Sequence, residues 1–187
     1  MRIYLVGVSC VGKTAAGMLL AEKTGYEFVD FDEETKKEFG KPLLALHNQF
    51  LSNKGYREYT KPLLARILDE HKDDVVIAMP PGGMFREYKT LLDKQHPDVV
   101  TVWLKDRPRN IFNRLVFTDD YDNLITEPVI NADNAAYYLD DVRKDIEYFS
   151  ATHKKAAVHC DIEGLDANGA AEKIIDMLGL ARRAATR

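Results

Sequence analysis

The sequence predicts an α/β fold, a parallel β-sheet covered by helices on both faces, with a phosphate-binding loop after its first strand. Three observations predict it. The stretch GVSCVGKT, residues 7–14, has the spacing G-x-x-x-x-G-K-T and directly follows the apolar run Ile3-Tyr4-Leu5-Val6. Short, wholly apolar runs alternate with helical stretches along the chain, the pattern of βαβ units whose strands are buried on both faces. No Pro-, Gly- or Ser-rich linker interrupts the 187 residues, so a single domain over 1–187 is expected.

The elements follow in order. Ile3–Val6 reads as a buried strand and 7–12 as the loop. Lys13–Lys23 reads as a helix packing through Ala15, Ala16, Leu19 and Leu20. GYEFVDFD, from Gly25 to Asp32, is a second strand ending in two aspartates. EETKKEF is a short polar helix stopped at Gly40. Leu43–Leu51 is another helix. A longer one starts near Tyr56 and carries Leu63, Leu64, Ile67 and Leu68, with Pro62 marking a kink or a late start. Val75–Met79, Val99–Leu104 and Ala156–Cys160 are the third, fourth and fifth strands. Helices are expected over Pro108–Leu115, Asn134–Ser150 and Ala167–Leu178. The tail from Ala181 to Arg187 lacks an apolar pattern and is expected to fray.

Composition narrows the function classes. Hydrophobic residues make up 45% and charged residues 30%, as in globular proteins. The net charge of -4 argues against a nucleic-acid partner. No apolar run approaches the roughly 20 residues that span a membrane, and no leader pattern precedes the first strand. The two cysteines, Cys10 and Cys160, are far apart without metal-type spacing, which suits a reduced, cytoplasmic protein. A monomer is expected. The histidines at 47, 71, 96, 153 and 159 show no metal spacing and read as surface or capping residues. The aromatics Tyr137, Tyr138, Tyr148 and Phe149 have helical spacing and read as packing residues.

The loop carries the chemistry. Its glycines let the backbone turn tightly, so that successive N–H groups converge on phosphate oxygens. Gly7, Ser9, Cys10, Val11 and Gly12 supply that cradle, and Lys13, Thr14 and Ala15 open the helix whose N-terminus faces the same anion. Lys13 reaches the β- and γ-phosphates, and Thr14 can ligate Mg²⁺. ATP and Mg²⁺ are therefore the expected cofactors. Side chains two apart on a strand face the same way, so Asp30 and Asp32 are expected together at the carboxyl edge where such sheets bind ligands. One helps hold Mg²⁺; the other accepts the proton of a hydroxyl substrate. Asp32 can equally cap the polar helix behind it.

The loop, its helix and the run LAEKTGYEFVDFDEE resemble the shikimate kinase family. The resemblance implies a three-layer P-loop kinase fold with strand order 2-3-1-4-5, substrate-binding helices over about 33–60 and a lid over about 116–134. It implies γ-phosphoryl transfer from ATP to the 3-hydroxyl of shikimate, a step of aromatic amino acid biosynthesis. By it, Asp30 acts near Mg²⁺ through water and Asp32 contacts the shikimate hydroxyl. GYREY, residues 55–59, falls on the family's G-x-x-F-R-x-x-E segment and puts Arg57 on the substrate carboxylate. Arg114 would lie against the nucleotide, and Arg143 would be the second arginine on the carboxylate.

Three departures stand out. Thr60 occupies the place of the motif's glutamate and leaves Arg57 without an evident orienting partner. The family's three glycines become Pro80-Pro81-Gly82-Gly83, so Gly82 and Gly83 are the expected backbone donors to the acceptor, proline having no N–H. Finally, the segment from Val116 to Val142 has no lysine or arginine and carries seven acids, Asp119, Asp120, Asp122, Glu127, Asp133, Asp140 and Asp141. A transition state with charge on phosphoryl oxygens calls for cations, and Arg114, Arg143 and Lys144 are the ones within reach. Otherwise the acidic lid meets a cationic acceptor or a protein partner, or is a solvated loop clear of the nucleotide. The alternatives to shikimate are another small hydroxyl metabolite, as in gluconate-type kinases, a nucleoside or nucleotide acceptor, and a non-catalytic ATP-binding domain.

Overall fold

In the computed structural model, which describes residues 1–183, five parallel strands form one sheet in the order β2-β3-β1-β4-β5. They are β1 (Arg2–Val6), β2 (Glu27–Asp30), β3 (Val75–Ala78), β4 (Val100–Lys105) and β5 (Val158–Asp161). The central strand is buried along its whole length. Its side chains alternate: Ile3 and Leu5 enter the apolar layer on one face, Tyr4 and Val6 the layer on the other. This two-sided demand is why β1 and β3 read as nearly unbroken apolar runs.

Helices α1 (Lys13–Thr24) and α8 (Ala167–Leu178) cover the first face, through Leu20 and Ile174 among others. Helices α4 (Asn53–Glu70) and α5 (Arg86–Gln95) cover the second, through Leu64, Leu68, Tyr88 and Leu92. The remaining helices are α2 (Phe31–Phe39), α3 (Leu43–His47), α6 (Pro108–Phe112) and α7 (Ala135–His153), and a 3-10 turn spans Pro81–Met84. No helix among the described residues is long and apolar enough to cross a membrane.

Several expectations are corrected. Helix α5 was not foreseen. Helix α3 stops at His47 rather than Leu51, and α6 stops at Phe112 rather than Leu115. Pro62 lies inside α4, which starts earlier than expected because Ser52 caps it, its hydroxyl accepting from the Gly55 amide at 3.2 Å. His96 and His153 are buried, not surface residues. Of the tail, the Arg183 amide donates to the Lys23 carbonyl at 2.7 Å, so that stretch is tied down; residues 184–187 lie outside the described part.

Candidate active site

The phosphate loop leaves the carboxyl end of β1. Gly7 sits where any side chain would strike backbone: a Cβ there would lie 2.7 Å from the Leu104 carbonyl oxygen on the neighbouring strand. Cys10 adopts a left-handed conformation, φ 58°, inside the loop. The buried Lys13 ammonium donates to the Gly7 and Val8 carbonyls, each at 2.9 Å, so the loop is folded around its own cation. Burial lowers the Lys13 pKa to about 8, and the charges of Asp32, Cys10 and Asp30 oppose that shift.

Asp30 and Asp32 do not share a strand face. β2 ends at Asp30, and Asp32 lies in the first turn of α2. Asp30, not Asp32, is the cap: its Oδ1 accepts from the amides of Asp32 and Glu33 at 3.0 and 3.3 Å. Its Oδ2 accepts the Thr14 hydroxyl at 2.8 Å. A hydroxyl and a carboxylate touching at the edge of the phosphate loop are hard oxygen donors of the kind Mg²⁺ takes, with phosphates and water completing its shell. No three His, Cys, Asp or Glu side chains among the described residues form a cage of their own. Asp32 has its carboxyl pushed up to about 6, first by burial and then by the charge of Asp30, with Lys13 and Lys36 pulling the other way.

Two cavities meet here. One, of about 180 Å³, is polar and lined by Ser9, Cys10, Lys13, Thr14, Asp30 and Asp32. The other, of about 170 Å³, is lined by His47, Tyr56, Arg57, Gly82, Phe85 and Phe149 among others. Pro80 and Pro81 line both, so a proline wall separates the phosphate side from the second cavity.

Arg57 has the orienting partner that its motif lacks. Its Nε donates to Glu87 Oε2 at 2.7 Å, the two side chains being only 14% and 6% exposed, and its guanidinium lies 4.3 Å from the Phe85 ring centroid. The carboxylate comes from α5, not from α4. Thr60 instead bonds the Tyr88 hydroxyl, at 2.6 Å. Burial pushes the Glu87 carboxyl up, but the hydrogen bond and charge of Arg57 outweigh it and hold it below the usual range. The spacing Tyr88, Leu91, Leu92 marks one apolar helix face and so signals α5, but not the pairing of Glu87.

Gly82 lines the second cavity, and Gly83 does not. The Gly83 amide is committed to the Pro80 carbonyl at 2.9 Å. A Cβ on Gly83 would lie 2.7 Å from Met79 Cβ, so this glycine serves packing. Arg143 is exposed on α7 and lines neither cavity; Tyr148 and Phe149 of the same helix line the second instead. Arg114 does reach the loop. It donates to the Val11 carbonyl at 3.2 Å and pairs with the fully buried Asp106 carboxylate, next to a small recess formed by Gly12, Ala15 and residues of α8. Lys144 is paired with Asp140 at 2.7 Å. Of the three cations considered for the lid's missing charge, only Arg114 lies on the phosphate loop.

The acidic segment is held by its own turn and by α3. Thr118 and Leu124 form an antiparallel bridge, and Asp119 accepts from the amides of Tyr121 and Asn123, each at 2.9 Å. At its tip Asp122 accepts the Leu43 amide, at 2.8 Å, at the start of α3.

A phosphate loop, an acid at its rim and an adjoining cavity with an anchored arginine, all at the carboxyl edge of a 2-3-1-4-5 sheet, define a P-loop phosphotransferase acting on a small hydroxyl compound. The sequence model of shikimate kinase matches residues 9–178. The chain belongs to the shikimate kinase family and, with it, to the ATP-dependent phosphotransferases with an alcohol acceptor. The shikimate kinase of Thermodesulfovibrio yellowstonii is 27% identical over 174 residues, covering 93% of this chain and 92% of the relative. The crystal structure of the Bacteroides thetaiotaomicron shikimate kinase superposes with a TM-score of 0.77 at 21% identity, covering 96% of this chain and 99% of that one. That of the Acinetobacter baumannii enzyme in complex with shikimate gives 0.67 at 22%, covering 95% and 92%. At these identities the two structures establish the fold.

Proposed function

We propose that Asp32, in the polar cavity, receives the proton of the acceptor's 3-hydroxyl while the phosphate loop presents the γ-phosphoryl group of ATP. The acceptor is shikimate, the compound bound in the Acinetobacter baumannii relative. The observation that carries this reading is the contiguity of the polar and the Arg57-bearing cavities across Pro80 and Pro81, with Asp32 on the phosphate side.

The residues take the following roles. The loop amides and Lys13 hold the phosphate oxygens. Arg57, held at Nε by Glu87, offers its remaining N–H groups to the acceptor carboxylate, which the planar guanidinium matches. The Gly82 amide donates to the acceptor. The ionised Asp32 takes the hydroxyl proton, the acceptor oxygen bonds to the γ-phosphorus in line, and the bond to the β,γ-bridging oxygen breaks, releasing ADP. Thr14 and Asp30 would hold Mg²⁺, which supplies positive charge beside the phosphate oxygens. Arg114 flanks the nucleotide. All these groups come from one chain, which suits a monomer, and ATP use with two free cysteines suits the cytoplasm.

The test is ADP release from Mg-ATP with and without shikimate. Strong stimulation is expected. ATP binding without stimulation would sink the shikimate reading and direct attention to other small hydroxyl acids, gluconate among them.

A further inference from the structure

The turn that carries Gly82 is an unpromising platform. It has four residues, and short 3-10 segments have poor hydrogen-bond geometry. Pro80 and Pro81 bring no N–H. The Gly83 amide returns to the Pro80 carbonyl and the Phe85 amide to the Gly82 carbonyl, at 2.9 and 3.0 Å. Gly82 N–H alone donates to no protein group, and it borders the acceptor cavity.

Two side chains from outside fasten this turn. From β1, the buried Tyr4 hydroxyl donates to the Gly83 carbonyl at 2.8 Å. From α7, His153 Nε2 lies 2.9 Å from the Pro81 carbonyl oxygen. His153 is 0% exposed, with its ring stacked on Phe149 and close to Trp103, at centroid distances of 5.7 and 5.8 Å. A carbonyl can only accept, so Nε2 carries the proton. Nδ1 is buried without a partner, which leaves the ring neutral. Burial lowers the His153 pKa to about 4, the hydrogen bond to Pro81 opposing and Lys13 assisting.

The Pro81 carbonyl and the Gly82 N–H belong to one planar trans peptide and point in opposite directions. We propose that His153 is a positioning residue of the acceptor site: by holding the Pro81 carbonyl it fixes the peptide plane that turns the Gly82 N–H toward the acceptor. Helix α7 contains the end of the acidic segment, so the same bond fastens that helix to the acceptor turn. The inference rests on the reading of the second cavity as the acceptor pocket.

The test separates this role from mere packing. His153→Phe keeps a flat ring between Phe149 and Trp103 and removes only the donor; His153→Gln restores an N–H near the position of Nε2. The expected result for His153→Phe is an acceptor KM raised about tenfold, the worth of one hydrogen bond, with the ATP KM within about twofold of wild type. His153→Gln should recover most of the loss. An unchanged acceptor KM in His153→Phe, or acceptor and ATP KM rising together, would overturn the proposal. Should His153→Phe not fold, the wild-type ring answers directly by ¹⁵N NMR. A proton on Nε2 and a Gly82 amide resonance that moves on adding shikimate are expected; a proton on Nδ1, or an unmoved Gly82 resonance, would refute it. If shikimate stimulates no ADP release, the proposed function falls, while the imidazole tautomer still decides the clamp.

Discussion

Asp32, the proposed proton acceptor, also bears on stability. Its carboxyl is lifted from 3.8 to about 6, so between those values the folded chain holds a proton that the unfolded chain releases. Stability therefore falls as pH rises through that window, and the penalty is complete above about 6. Asp32→Asn should lose acceptor-stimulated turnover by at least about 100-fold while keeping ATP affinity. It should also gain about 1–2 kcal/mol of stability at pH 8 and nothing at pH 4, read by thermal melts. Wild-type turnover should drop as pH falls through about 6; a flat profile there would remove Asp32 as proton acceptor. Glu87 behaves oppositely. Its lowered pKa contributes stability at neutral pH that is lost as pH falls through that lowered value. Glu87→Gln leaves the buried Arg57 guanidinium without a counter-charge, costing about 1–3 kcal/mol and raising the acceptor KM with ATP KM unchanged. The pair Asp30 and Asp32 was legible in the sequence, because few purposes put two acids after an apolar strand beside a phosphate loop. Their geometry was not, because Asp30 spends its carboxylate on capping α2 and ends the strand there. Glu87 was invisible as Arg57's partner because the contact spans 30 positions and two helices.

Among the elements, the acidic segment docks through its tip. Its tip residue Asp122 adopts φ 64° and accepts the amide that opens α3. Asp122→Ala removes that acceptor and leaves an unfavourable left-handed alanine. Hydrogen exchange at the Leu43 amide and across 117–125 should accelerate in this variant, while the β1 amides stay protected. Equal exchange in both proteins would show that the bridge does not hold the segment. The sequence displayed the charge of this segment plainly but not its docking place, since an acid's partner here is a backbone amide 79 positions away. Helix α5 escaped notice for a different reason. Phe85 supplies no side-chain cap, and the preceding Pro-Pro-Gly-Gly reads as a turn rather than as a helix start.

For the molecule as a whole, the loop-bearing strand is central, with α1 and α8 on one face of the sheet and α4 and α5 on the other. In the proposed reading, nucleotide and acceptor lie side by side along its carboxyl edge. Five apolar runs announced the sheet; their lateral order came from family resemblance, because periodicity carries no information about neighbours. Pairing of β1 with both β3 and β4 joins residues about 70 and 100 positions apart. One feature on the acceptor side makes the protein observable without any label. Trp103 is the sole tryptophan, and its ring lies 5.8 Å from the His153 ring that holds the Pro81 carbonyl. Its fluorescence therefore reads out the packing of α7 against the acceptor turn. Titration with shikimate should change the emission, whereas ADP alone should leave it nearly constant. Occupancy of the two halves of the site could then be followed separately by light, in stopped-flow mixing, before any phosphoryl group has moved.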